Sequence, residues 1–321
     1  MHRLLGRTLI VLLASLIATV LGSADDTPGP TADVASGMDT LVSAEWLSRH
    51  LDDPDLVVLD CTVVIEQDEQ GGLRMLNGRA SYEAGHIPTA GFADLLGDLS
   101  DTTSEWDFAM PSPEQFVAAT RALGVNDASR VVLYDANRSV WAARVWWMLR
   151  WIGFDRAALL DGGLPAWTAA GHPLSTEPVD RPVGELTLNL RPASIATRDE
   201  VAASLENPSV TIIDAMMEAH YRGEMAMYAR PGHIAGASNL PTTALLDETG
   251  RFRPRDELDM LIEGDRDART ITYCGGGIAA AADAFVLHRL GFTDVAVYAN
   301  SLQEWAADPA NPMETGDGAA Q

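Results

Sequence analysis

The chain has 321 residues, room for one large domain or two of about 150, and 47% of them are hydrophobic, ample for a buried core in each. Its 46 acidic residues outnumber 22 basic ones, all of them arginine, giving a formal net charge of −24. Such a field opposes binding to nucleic acid or an anionic membrane, so an anionic substrate has to be drawn in by a local group of arginines.

The chain begins with Arg3 and Arg7, an apolar run from Thr8 to Leu21, and the small residues Gly22-Ser23-Ala24. This is the layout of a secretory signal peptide over residues 1–24, cut after Ala24. The run is short for a membrane span, so the expectation is an exported chain, periplasmic or extracellular, with no stable membrane association after cleavage; an uncleaved anchor is the alternative. Cleavage removes two arginines and no acids, leaving −26. Residues 25–37, rich in Asp, Thr, Pro and Gly, read as disordered.

Beyond them, short apolar runs at 56–59, 131–134, 157–160, 210–213, 270–273 and 294–298 predict strands. Helical patterns at 43–51, 113–123, 139–151, 197–205, 255–263 and 278–290 alternate with these runs. The alternation implies an α/β fold, a mostly parallel sheet covered by helices on both faces. Residues 174–195, with Pro178, Pro182 and Pro192, predict a linker between domains at 38–173 and 196–316, and 317–321 form a tail. Of the two cysteines, Cys61 closes an apolar run and reads as an inert core thiol rather than half of a disulfide with Cys274.

The two halves echo each other. Val57-Val58-Leu59-Asp60 returns as Thr211-Ile212-Ile213-Asp214, and Gly85-His86-Ile87 as Gly232-His233-Ile234. Val131-Val132-Leu133-Tyr134-Asp135 matches Thr270-Ile271-Thr272-Tyr273-Cys274, and the Trp167 region matches that of Trp305. The separations, 154, 147, 139 and 138 residues, fall in order, as in a duplicated domain with small deletions. Units of this length suit globular domains rather than a solenoid.

Cys274 follows a β-favouring run and enters Gly275-Gly276-Gly277, after which Ile278-Ala279 opens a helical pattern. Glycines allow successive N–H groups to turn toward the sulfur, and the helix start adds unpaired donors. Such a nest is expected to lower the pKa of the thiol and to hold an anion above it. A phosphatase cradle would need an arginine six residues after the cysteine, where Ala280 stands. No His/Cys/Asp spacing suggests a metal, and no phosphate-binding glycine motif is present.

With Tyr82-Glu83-Ala84-Gly85-His86-Ile87-Pro88 and the stretch from Tyr298 through Gln303-Glu304-Trp305 to Glu314-Thr315-Gly316, the chain resembles the two-domain rhodaneses, the thiosulfate and 3-mercaptopyruvate sulfurtransferases. Thr89 and Asn300 stand where that family usually has glycine. The resemblance covers about residues 40–316 and implies two tandem rhodanese-like domains, the first without a nucleophile, as Asp135 at the cysteine position would have it. It implies that Cys274 takes sulfane sulfur from a small anionic donor as a persulfide and passes it to a thiol, cyanide or a protein acceptor, with no cofactor. The loop is most similar to the mercaptopyruvate pattern Cys-Gly-Ser-Gly-Val-Thr-Ala, but Gly276 and Ala279 replace its two hydroxyl residues.

By the same resemblance Arg222 and Arg230 are candidate clamps for the donor anion, assisted by His220, while Met216 and His220 stand where arginine is usual. His86 and His233, recurring in both halves, read as structural, with His86 a possible contributor from the domain interface. The alternative to an enzyme is a rhodanese-fold binding or sulfur-sensing module with little turnover.

Overall fold

The computed structural model describes residues 38–67 and 73–317. The expected signal peptide over residues 1–24, residues 25–37 and the tail after Asp317 lie outside the described residues.

Each half builds a five-stranded parallel sheet. In the first, the spatial order is Leu41–Val42, Ala157–Leu160, Arg130–Tyr134, Leu56–Asp60, Gly91–Phe92. In the second it is Ile195–Ala196, Val295–Tyr298, Arg269–Tyr273, Val210–Asp214, Ser238–Asn239. Matched strands occupy matched places, so the duplication read from the sequence is a duplication of topology. The second sheet starts at Ile195, one residue inside the expected linker. The preceding stretch lies along the first domain, where Asp127 N–H bonds Glu185, Asn189 N–H bonds Ile152 and Arg191 N–H bonds Trp151.

Side chains alternate across each strand. Val131 and Leu133 face one apolar cluster while Val132 and Tyr134 face another; Val295 and Val297 divide from Ala296 and Tyr298 in the same way. One cluster takes residues from both domains. At its centre lie two helices, Val140–Trp151 and Ala279–Leu290, each following the loop at the end of its domain's central strand. Trp146 and Phe285 meet edge to face, ring centroids 4.9 Å apart. Gly291 (φ +96°) ends the second helix in the left-handed conformation that closes such termini.

Several elements lie outside the sequence expectations: the hairpin Val63–Gln67/Leu73–Asn77, the helices Arg79–Ala84, Gly163–Ala169, Glu218–Tyr221 and Ser301–Trp305, and the small pair His233–Ile234/Met313–Glu314.

Candidate active site

The central strand of the second domain delivers Cys274 to the carboxyl edge of its sheet, where open α/β folds form their crevices. The Cys274 N–H donates to Ser301 Oγ (3.0 Å), whose hydroxyl donates to the Tyr298 carbonyl (2.7 Å). The carbonyls of Cys274 and Gly275 accept from the N–H groups of Leu302 and Gln303 at 3.0 Å each. With the peptide pinned on that side, the N–H groups of Ala280, Gly276 and Gly277 turn to the sulfur. Two of these three belong to the loop expected from sequence; Ala280, already in the helix, was not anticipated, and its signal was the helix start itself.

The first domain shows the same nest filled permanently. Asp135 Oδ1 accepts from Asn137 N (2.6 Å) and Ser139 N (3.0 Å), and Oδ2 from Trp141 N (3.0 Å) and Ala142 N (2.9 Å). Arg138 and Ser139 adopt left-handed backbone at φ 63° and 61° in this loop, where the second domain uses Gly277 at 77°. A side-chain carboxyl therefore occupies the seat that the Cys274 thiol holds in the other copy.

Burial changes the expected acidity of the thiol. Cys274 is 3% exposed. Desolvation pushes its pKa above the ordinary cysteine value, against the N–H groups of Ala280, Gly276 and Gly277, and the nearby Asp214 carboxylate pushes the same way. The expectation of a lowered thiol is thereby corrected: a three-donor nest offsets burial only in part. Asp214 itself accepts from Tyr273 Oη (2.8 Å) and Met216 N (2.7 Å), and burial pushes its carboxyl up to about 6.

Groups from both domains close over the loop. Tyr228 lies so close to Gly275 that a Cβ there would fall 1.8 Å from its hydroxyl. From the first domain, Asp107 exchanges two hydrogen bonds with the Gln303 amide, Asp107 N to Oε1 (3.2 Å) and Nε2 to the Asp107 carbonyl (2.9 Å). Arg144 donates through Nη1 to the Gly277 carbonyl (3.3 Å) and through Nη2 to the Phe108 carbonyl (2.9 Å). Gly276 and Ala279 are the loop positions that remain partly exposed. None of Tyr228, Asp107, Gln303 and Arg144 was expected at the site. Arg144 left one legible sign, a charge amid the apolar run Ala142-Ala143 and Val145-Trp146.

The other expected residues are placed differently. Arg230 donates to four backbone carbonyls, those of Ala306, Asn311, Trp305 and Asp308, at 2.7–3.1 Å. That amends its reading as an open anion clamp, because the guanidinium fork is spent on tying down residues 305–311. Arg222 is exposed and paired with Asp317 (2.7 Å) and Glu218 (3.7 Å). The buried His220 holds the Met225 carbonyl through Nδ1 (3.1 Å), bracing the segment that leads to Tyr228. His86 and His233 are near copies: each is buried, contacts a tyrosine carbonyl through Nδ1 (Tyr82, 2.8 Å; Tyr221, 2.7 Å) and stacks on that same ring. His86 thus braces the turn of its own domain, and among the described residues no hydrogen bond from its ring crosses the interface. Cys61 is fully buried and, like Cys274, unpaired.

Comparison with known proteins agrees with this geometry. The family model for the rhodanese-like domain matches residues 43–170 and 197–308. A protein of Pseudomonas aeruginosa named probable 3-mercaptopyruvate sulfurtransferase is 35% identical over 286 residues, covering 86% of this chain and 98% of its own. The 3-mercaptopyruvate sulfurtransferase of Escherichia coli K12 is 36% identical over 280 residues, covering 85% and 97%. The crystal structure of an Escherichia coli 3-mercaptopyruvate sulfotransferase with the rhodanese fold superposes with a TM-score of 0.73 at 33% identity, over 82% of this chain and 99% of that one.

Proposed function

The chain belongs to the rhodanese family, as a two-domain sulfurtransferase working through a cysteine persulfide, and we propose that Cys274 carries the sulfur and that 3-mercaptopyruvate is the preferred donor. The observation that carries the first claim is the nest: a cysteine at the sheet's carboxyl edge receives inward N–H groups where its duplicate holds a carboxylate. The second rests on the names of the relatives and on a loop with no cationic side chain to favour the dianionic thiosulfate.

The Cys274 thiolate attacks the donor's thiol sulfur, a new S–S bond forms and the donor's C–S bond breaks. The electron pair leaves with the carbon, which takes the proton as pyruvate is released. An acceptor nucleophile then attacks the outer sulfur, and Cys274 departs as the thiolate that the nest stabilises. Tyr228 and the Asp107–Gln303 pair stand beside the loop that carries the persulfide. Among the described residues the Arg222 side chain pairs with the surface acids Glu218 and Asp317 and no contact joins it to the Cys274 loop, so the donor, and then a cyanide, thiol or protein acceptor, enters past Gly276 and Ala279. Export through residues 1–24 belongs to the same proposal and rests on their composition alone.

Steady-state kinetics varying donor against acceptor tests this reading. Parallel double-reciprocal lines with 3-mercaptopyruvate, and a lower kcat/KM with thiosulfate, are expected. Intersecting lines, or a preference for thiosulfate, would refute the respective part.

A further inference from the structure

Arg144 is 1% exposed, one turn into the first domain's interface helix. Its hydrogen bonds run to the carbonyls of Gly277 and Phe108 and to Met110 Sδ (3.2 Å), and to no carboxylate among the described residues. Its Nε is buried without a partner. A buried cation with no counter-anion is costly in a folded protein, and its neutral partners repay little of that. The Cys274 sulfur lies within its electrostatic reach, so that when this thiol ionises its charge favours the protonated guanidinium. Burial draws the Arg144 pKa down to about 10, with the Cys274 charge pushing the other way, which leaves the group charged at neutral pH.

We propose that Arg144 is a positioning residue for sulfur transfer, by which the nucleophile-free first domain supplies the positive charge that the glycine loop of the second lacks. It acts in two ways. Its Nη1 holds the Gly277 carbonyl and so fixes the left-handed Gly277 residue (φ +77°), whose N–H faces the sulfur. Its charge offsets the burial of whatever anion the loop carries, first thiolate and then persulfide. The duplicated architecture explains why the group can come from the other domain. The interface helices pack side by side, and each starts at its own nest, so Arg144, one turn into the first helix, reaches the loop that starts the second. The first domain's own nest needs no such help, since Asp135 is held by four N–H groups.

Other charged or titratable groups act on the same sulfur or its neighbours. Asp214, at the end of strand Val210–Asp214, opposes the thiolate. Tyr228 on the roof senses both Cys274 and Asp107, and Tyr273 is bonded to Asp214. Arg144 is the cation of this set.

The inference rests on Cys274 being the sulfur carrier, and its test reads the thiol directly. Iodoacetamide alkylation of Cys274, followed by peptide mass from neutral pH up to the most alkaline pH at which the chain stays folded, gives the thiol's midpoint in wild type and Arg144→Lys and, for Arg144→Met, the midpoint or the shift of the rate profile. With Arg144→Met the midpoint should rise by about one unit or more, an alkylation about tenfold slower at pH 7. Arg144→Lys should keep the charge, stay within about half a unit of wild type, and lose transfer rate through a looser Gly277. Should Arg144→Met not fold, the wild-type chain still decides: the slowly exchanging Nε–H resonance of Arg144, assigned by its loss in Arg144→Lys, should shift as Cys274 titrates and stay still in Cys274→Ser. Equal midpoints in wild type and Arg144→Met, or a resonance indifferent to Cys274, would overturn the proposal. Loss of sulfur loading at Cys274 with these shifts intact would instead count against the carrier assignment.

Discussion

At the scale of single residues, the three glycines after Cys274 do different jobs. A Cβ at Gly277 would fall 2.4 Å from the Ala299 carbonyl and force a left-handed side chain, whereas at Gly276 the nearest atom is 3.5 Å away. Gly277→Ala should therefore lower stability by roughly 1–3 kcal/mol and abolish sulfur loading. Gly276→Ser should stay within about 0.5 kcal/mol of wild type and, by placing a hydroxyl beside Gln303, speed loading from 3-mercaptopyruvate. Thermal melts and stopped-flow loading check both, and equal destabilisation by the two would contradict the loop geometry. Asp214 offers a pH test. Its carboxyl is raised to about 6 in the folded chain, so the native state binds a proton that the unfolded state has released, and stability falls as pH rises from about 4 to about 6. Asp214→Asn should flatten that part of the curve by an amount on the order of 2 kcal/mol and lower the midpoint of Cys274 alkylation. An unchanged slope in urea titrations across that range would argue against it.

At the scale of elements, what was legible depended on length and burial. The strands at 56–60, 130–134, 157–160 and 269–273 are all or nearly all buried, so their apolar runs announce them. The hairpin Val63–Gln67/Leu73–Asn77 is exposed along much of its length, Ile65 and Met75 included, and leaves no alternating pattern to read. Two-residue strands such as Gly91–Phe92 are too short for any period. The nest was legible as far as the glycines and the helix start, because both are local. Arg144, Asp107 and Gln303 were not, since the first two lie more than a hundred residues from the cysteine loop in sequence and only packing brings all three around it. The two interface helices should therefore be sensitive together. Phe285→Ala removes the ring that meets Trp146 and should cost about 3–5 kcal/mol, while also exposing Cys274 to faster alkylation at fixed pH. A cost confined to stability, with no change at Cys274, would mean that the helices do not transmit to the site.

For the whole molecule, the ordered separations along the chain reveal a duplication but not its arrangement. The structure turns the two nests and their helices toward each other and buries them in one apolar cluster common to both domains. A large apolar interface of this kind ties domains that would otherwise move independently. Unfolding should accordingly be one transition, coincident by tryptophan fluorescence and far-ultraviolet circular dichroism, and two separated transitions would show the domains to be energetically independent. The asymmetry laid over this symmetry is chemical. One nest is sealed by Asp135, and the other holds the Cys274 thiol, the sulfur carrier of the proposed reaction.

That last statement can be tested by mass. Cys61 and Cys274 fall in different tryptic peptides, separated by cleavage at Arg74 and Arg269. After brief exposure of the full chain to 3-mercaptopyruvate without acceptor, the peptide from Thr270 to Arg289 should gain about 32 Da, one sulfur atom, and lose it on adding cyanide. The peptide carrying Cys61 should not change, and Cys274→Ser should gain nothing. Sulfur found on Cys61, or none found on Cys274, would contradict the account.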